Sequence, residues 1–415
     1  MRDSRPTSGP RADTRADTTK GATPWLMLAL STIGFGVNFW AWALLSPLAP
    51  RLQEQLGLTP FEQSLMVAVP VVVGSLGRIP VGALTDRFGG RVMFPFVSAI
   101  TILPVLFLGL AGHSSFPALL IGGFFLGVGG TAFAVGVPVV NNWFPPARRG
   151  LAIGIFGVGM GGTAISALTT VQLVDAGGMQ TPFVIMAIVL AVFAVVSALF
   201  LRDAPGRVVP SEPFAQRMGA TLRLRVTWQA AALYAVAFGG YVAFSVYLPA
   251  YLKSAYGLTQ VDAATKMAGF VLLAVAMRPV GGALSDKFGA VRVLNVVMIV
   301  VALGAAAQAF TPELAPLGTI AFLSMAAALG AGSGAVFALV ALLAPANKVG
   351  AVTGIVGAAG GLGGFVPPLL MGALYGEFGS YAIGLALLAG VAVAALIFNQ
   401  TSVRRAATTS TATAG

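Results

Sequence analysis

"RIPVGALTDRFGGRV", residues 78 to 92, and "RPVGGALSDKFGAVR", residues 278 to 292, are one pattern repeated at an offset of 200 residues. Each opens on an arginine inside a stretch otherwise apolar enough to cross a bilayer, and each runs into a loop of the form G-x-x-x-D-[RK]-x-G. An arginine at that depth costs a few kcal/mol even on the mildest insertion scale. Its recurrence therefore needs a reason. The repeat extends outward: "LTPFEQS" at 58 and "LTQVDAA" at 258 precede the arginines, and Gly150, Gly154, Gly157 and Gly161 are matched by Gly350, Gly354, Gly357 and Gly361.

The composition agrees with a membrane protein. Apolar residues make up 57% of the 415, only 9% are charged, and mean hydropathy is strongly positive, which excludes a soluble globular chain of this size. The chain has no cysteine, so disulfides, thiol nucleophiles and cysteine metal sites are excluded; the single His113, in "AGHSSFP", excludes a histidine cluster or relay. No cofactor or metal is expected. Signatures of a serine hydrolase elbow, a Walker-A lysine and a zinc protease are missing from the sequence. Neither an enzyme nor an ATP-driven pump is expected.

Windows of about 20 apolar residues, the length that crosses the hydrocarbon core, recur twelve times, the first near 25–49 and the last near 380–398. Residues 1–24 combine basic residues with Asp, Ser, Thr and Gly and read as a disordered cytoplasmic tail. The first apolar run is too long for a cleaved signal peptide. The expected organisation is a six-helix bundle over 25–201, a cytoplasmic linker over 202–227, a second six-helix bundle over 228–398 and a cytoplasmic tail over 399–415. With the N-terminus in the cytoplasm, 19 of the 24 Lys and Arg fall inside and only Arg51, Lys253 and Lys266 outside. The positive-inside rule thus places both termini in the cytoplasm of a multi-pass cell (inner) membrane protein. The net charge of +11 is mostly this topology signal, and no nucleic-acid partner is expected. Two parallel six-helix repeats about an axis along the membrane normal make a transporter architecture, with its site near the midplane between the halves.

The loop motif falls on Gly82, Asp86, Arg87 and Gly89, and again on Gly282, Asp286, Lys287 and Gly289. It reads as a gating latch, the glycines permitting close helix approach and the Asp pairing in one conformation only. Over nearly its whole length the chain here resembles the major facilitator superfamily, and that resemblance implies an all-α integral membrane fold of 12 transmembrane helices in two pseudo-symmetric bundles.

Arg78 and Arg278 each precede the motif Asp by eight residues, about 12 Å along a helix rising about 1.5 Å per residue. A guanidinium snorkelling to the interface is the alternative. Yet the two positions are pseudo-equivalent and would both face the axis, and each of the 13 acids maps to a tail, a loop or a helix end, Glu62 and Asp262 being the nearest. Two unpaired forks facing one cavity call for a planar anion.

"GAVTGIVGAAGGLGGFVPPLLMG", 350–372, and "GLAIGIFGVGMGGTAIS", 150–166, resemble the eleventh- and fifth-span signatures of the nitrate/nitrite porter family. Glycine-dense faces let backbone approach a small ligand and let helices slide. Glycine-rich membrane helices in general are the plainer reading. The resemblance implies that Arg78 and Arg278 grip the anion, that Phe133 and Phe238 lie against its faces with Tyr234 assisting, and that Gly161 and Gly361 line the site. One departure stands out: Met160, or Gly161 under a shifted alignment, replaces the asparagine that the family uses as a donor. Thr163 and Ser166 are possible substitutes. The expected protein is a monomeric carrier of a small inorganic anion, nitrate or nitrite, working in the lipid bilayer by alternating access and exchange. Formate, oxalate or a monocarboxylate as substrate, nitrate/proton symport, and a non-transporting membrane sensor remain the alternatives.

Overall fold

The computed structural model of the chain describes residues 23–205, 207, 214–345 and 348–407. Most of the basic N-terminal tail, the linker positions 208–213 and the C-terminal stretch 408–415 lie outside the described residues. Among the described residues, twelve helices are long and apolar enough to cross a membrane, numbered α1 (Pro24–Leu56), α2 (Pro60–Phe88), α3 (Gly90–Leu110), α4 (Phe116–Trp143), α5 (Ala152–Gly177), α6 (Thr181–Phe200), α7 (Arg225–Tyr256), α8 (Gln260–Phe288), α9 (Ala290–Ala309), α10 (Leu314–Leu343), α11 (Ala351–Phe378) and α12 (Ala382–Ala407). A short helix, Phe214–Leu222, precedes α7, and among the described residues there are no strands.

Two boundaries differ from the sequence expectation. The seventh span begins at Arg225, not 228. The twelfth runs on to Ala407, not 398, because the Asn399 amide donates to the Val291 carbonyl and to Asn295 Oδ1, tying the polar end of α12 to α9.

The duplication is written into the turns. Thr59 caps α2, accepting from the Glu62 N–H while the Glu62 carboxylate accepts from the Thr59 N–H; Thr259 caps α8 through the Asp262 N–H. Gly57 and Gly257 end the preceding helices at φ 65° and 64°, and Gly89 and Gly289 separate α2 from α3 and α8 from α9 at φ 85° and 86°. Side chains rarely adopt that left-handed region, so glycine stands at each.

The helices of the first half are interrupted where they pass the molecular centre. α2 breaks at Gly77, immediately before Arg78; α4 passes through a 3-10 turn at Gly127–Thr131 before Phe133, and α5 through another at Val158–Gly161. In the second half α7 and α8 run unbroken past the same level. Irregular backbone inside a membrane protein is tolerated where protein or a polar cavity satisfies it.

The halves meet in a swapped pattern, α2 against α11 and α5 against α8, with α1 against α7. At the end of the bundle remote from the termini, hydrogen bonds tie the halves together: Ser46 Oγ donates to the Val246 carbonyl (2.6 Å), Gln260 Nε2 to the Pro47 carbonyl (2.7 Å), and Lys253 pairs with Glu54. Within the second half, α8 and α10 pack almost backbone to backbone. A methyl on Gly330 would lie 2.0 Å from the Ala274 carbonyl oxygen and one on Gly281 2.0 Å from that of Ala331. Gly330→Val should therefore destabilise the detergent-purified protein by about 3 kcal/mol, at the upper end for overpacking. Gly269→Ala, where a methyl meets nothing within 4 Å, should leave the melting temperature level or raise it; equal melting curves for the two variants would contradict the packing.

Candidate anion-binding site

Arg78 and Arg278 are both 7% exposed, buried between the halves, so snorkelling is not their arrangement. Their guanidinium carbons lie over opposite parts of one aromatic assembly: Arg78 is 5.2 Å from the Phe133 ring centroid and 5.6 Å from that of Phe238, and Arg278 is 5.5 Å from Phe238. Phe238 thus lies within cation–π distance of both cations. Tyr234 stacks on Phe238 at 4.9 Å with the rings 1° from parallel, and Arg278 donates to its hydroxyl at 3.2 Å. All five of the sequence-predicted side chains at the site are brought together. Phe133 is braced in turn by Phe35 and Phe156, at 5.6 and 5.9 Å.

Hydrogen-bond partners distinguish the arginines. Arg78 donates to the Gly357 carbonyl of α11 (2.7 Å), across the halves, and at 3.4 Å to the Gly130 carbonyl in the 3-10 turn of α4. Among the described residues, the hydrogen-bond partners of Arg278 are the Tyr234 hydroxyl and the Met160 sulfur. A thioether is a weak acceptor, so the guanidinium with the poorer partners is Arg278. Ion pairs among the described residues join Arg51 to Asp175, Arg207 to Asp203 and Lys253 to Glu54; none reaches either buried arginine. Five N–H donors per arginine, held over quadrupolar ring faces in a dry site, suit an anion that accepts in a plane.

The glycines divide into two kinds. A methyl on Gly161 would meet nothing within 4 Å and one on Gly157 would sit 3.8 Å from the Arg278 guanidinium, so this face of α5 borders open space beside the arginine. Gly361 is packed instead, a methyl there falling 2.0 Å from Ser75 Oγ; Gly360 and Gly363 hold α11 against Tyr234 and Ala235 of α7. A void of about 10 Å³, room for one water, lies beside Arg78 between Trp42, Ser75, Gly130 and Gly361.

The two copies of the loop motif have different surroundings. Asp86 is half-buried, and Arg207 donates to its main-chain carbonyl at 2.8 Å; Asp286 and Lys287 are exposed. Asp203, which the sequence reading passed over as a linker charge, accepts from the Gly90 and Arg91 N–H groups at the start of α3 (2.7 and 3.3 Å). It stabilises the positive end of that helix. A methyl on Gly89 would run into the Asp203 carboxylate, so that glycine is required both by its φ and by its neighbour. Arg87 and Lys287 lie over the rings of the following Phe88 and Phe288. The expected close approach at the first glycine of each motif is not what those glycines provide: a methyl on Gly82 would reach only Ala134, at 3.9 Å, and one on Gly282 nothing within 4 Å. Gly281, Gly330 and Gly334 make the close approach in the second half.

Tyr241 packs its ring 5.9 Å from Phe238, and its Oη lies 3.2 Å from Thr163 Oγ1. Tyr241 follows Tyr234 by seven residues and Phe238 by three, the i, i+4, i+7 face of one helix, and that spacing was the signal by which it could have been found.

Comparison with known proteins agrees with the geometry. The family model of the major facilitator superfamily matches residues 31–366 and 265–414. The chain is 48% identical over 373 residues, 89% of its length and 94% of the relative's, to the probable nitrate/nitrite transporter NarK2 of Mycobacterium tuberculosis. It is 36% identical to the nitrite extrusion protein of Bacillus subtilis, over 90% of this chain and 93% of that one, and 37% identical to the probable nitrate transporter NarT of Staphylococcus haemolyticus, over 91% and 96%. Among solved structures, an inward-facing, occupied bacterial homologue of the human lysosomal transporter Spinster shares the fold with a TM-score of 0.72 at 20% identity, over 94% of this chain and 99% of that one. The human organic anion transporter MFSD10 does so with 0.72 at 14%, over 91% and 100%. The chain is a multi-pass membrane transporter, not an enzyme, and belongs to the nitrate/nitrite porter family of the major facilitator superfamily.

Proposed function

We propose that this protein carries nitrate and/or nitrite across the cell membrane, as a monomer, by alternating access and exchange of one anion for another. The observation that carries this reading is the convergence of Arg78 and Arg278 on Phe238 with no acidic partner for either among the described residues. A planar oxyanion can accept from both forks while the rings of Phe133 and Phe238 cover its faces. The names of the relatives support nitrate or nitrite over larger anions. Both arginines come from one chain, so one copy suffices.

The positive-inside distribution puts the terminal end of the bundle in the cytoplasm. On that orientation the Ser46–Val246, Gln260–Pro47 and Glu54–Lys253 contacts close the outer side. Alternation breaks them and closes the loops of the motif instead, with Asp86 and the Asp203–Arg207 segment as the inner latch.

Coupling follows from the charges. Two unit charges about 8 Å apart at an effective dielectric near 20 repel by about 2 kcal/mol, and a bound monoanion relieves that repulsion. The loaded carrier therefore occludes more readily than the unloaded one, which favours exchange. Each acid among the described residues lies in a loop or at a helix end, so the spans offer no carboxylate to carry a proton along the path.

Three outcomes are expected. Arg78→Lys and Arg278→Lys each remove the bidentate fork, and with hydrogen bonds to a charged group worth about 1.5–3 kcal/mol, the affinity for nitrite by calorimetry should fall by about two orders of magnitude; near wild-type affinity in both would refute the shared grip. Asp86→Asn and Asp203→Asn should shift the balance of inward-open and outward-open populations, read by distance measurements between spin labels, with less than about a threefold change in affinity, since both lie outside the site. In proteoliposomes, labelled nitrate should enter only against an internal anion; saturable accumulation without internal anion, driven by a pH gradient and abolished by a protonophore, would establish proton symport in place of exchange.

A further inference from the structure

Resting on the anion-carrier reading above, we infer that Tyr241, oriented by Thr163, is a further anion-contacting donor of the site, supplying the neutral hydrogen bond that α5 cannot supply where Met160 stands. Five residues, Arg278 among them, close a ring. Its guanidinium meets the Met160 sulfur, and the Met160 carbonyl accepts from Thr163 Oγ1 (3.0 Å). Thr163 Oγ1 is 3.2 Å from Tyr241 Oη, the Tyr241 ring is 5.9 Å from Phe238, and Phe238 lies under Arg278 at 5.5 Å. The ring joins the halves, since Met160 and Thr163 belong to α5 and the other three to α7 and α8.

Proton assignment decides what Tyr241 can do. A threonine hydroxyl has one hydrogen, and here it goes to the Met160 carbonyl. The bond between the hydroxyls then takes its hydrogen from Tyr241. At 3.2 Å that is a long O–H···O bond, and a phenol trades such a neutral bond for a shorter, charge-assisted one when an anion comes within reach. Tyr241 is 1% exposed and Thr163 fully buried, so no solvent competes for the donor. The open side of Gly161, next to Met160 in the chain, faces no protein atom within 4 Å and leaves room at this wall. Met160 itself offers neither donor nor charge. Its sulfur meets one terminal nitrogen of Arg278, and the other donates to Tyr234.

The test uses the full chain, purified and in proteoliposomes, with nitrite and nitrate as probes, Kd from calorimetry and KM and maximal rate from counter-flow. Tyr241→Phe removes one hydroxyl and should raise Kd and KM about tenfold, the loss of one hydrogen bond to a charged group, with the maximal rate within about twofold. Thr163→Val leaves Tyr241 in place without its orienting acceptor and should raise Kd about threefold. Adding Met160→Asn to Tyr241→Phe returns a donor to α5 and should recover most of the lost affinity, a rescue that a role in packing alone would not give. Unchanged Kd in Tyr241→Phe with an altered rate would make the pair a seal between the halves and overturn the inference while leaving the carrier reading intact. Wild-type protein that binds neither anion would overturn both. Should Tyr241→Phe fail to elute as a folded species, the Kd of Thr163→Val decides, an unchanged value counting against the inference.

Discussion

Two guanidinium groups buried between two six-helix bundles, with no carboxylate among the described residues paired to either, set the terms for everything around them. The cost of holding an ion away from water is several kcal/mol unless hydrogen bonds and fields from the surroundings offset it. Here the offset comes from groups without charge. Phe133 and Phe238 present their negative faces, and Gly357 and Gly130 present carbonyls to Arg78. The interruptions of α2, α4 and α5 fall at this level and nowhere else in those spans, so the irregular backbone and the buried charge explain one another. Neutral partners stabilise the cations without cancelling them, and the attraction for an anion survives.

The duplication is exact in sequence offset and inexact in structure, and the differences carry meaning. Arg78 is tied to main chain across the halves, whereas Arg278 rests on a phenol and a thioether. At the loops, the first motif is gripped by the segment that follows α6, through Asp203 and Arg207. The equivalent position 200 residues on is Val403, buried where α12 continues as helix. One half thus carries polar contacts from the inter-bundle linker, and the other a continuous helix end.

Glycine served three purposes that a sequence pattern could not separate. Gly89 accommodates a left-handed turn under Asp203, Gly330 and Gly281 let α8 and α10 touch through their backbones, and Gly157 and Gly161 leave space beside Arg278. The matched spacing of the fifth and eleventh spans suggested one common role near the anion. Instead, Gly361 gives its space to Ser75, while Gly161 keeps its own. Period and composition report that a close approach exists; only the neighbouring helix determines what approaches.

The sequence by itself determined the class, the number of spans, the duplication and the grouping of Arg78, Arg278, Phe133, Phe238 and Tyr234. The class, the spans, the duplication and the pairing of the two arginines rest on local hydropathy, on repetition, or on the high cost of a charge in a bilayer, whereas Phe133, Phe238 and Tyr234 were grouped with them by resemblance to the nitrate/nitrite porter family. Tertiary structure alone decided the unequal partners of the two arginines, the placing of Met160 against Arg278, the pairing of Tyr241 with Thr163 and the capping of α3 by Asp203. These contacts join residues from 44 to 279 positions apart, the cap spanning 113. Helix packing sets such pairs, and a hydrogen bond between distant segments leaves no period in either one.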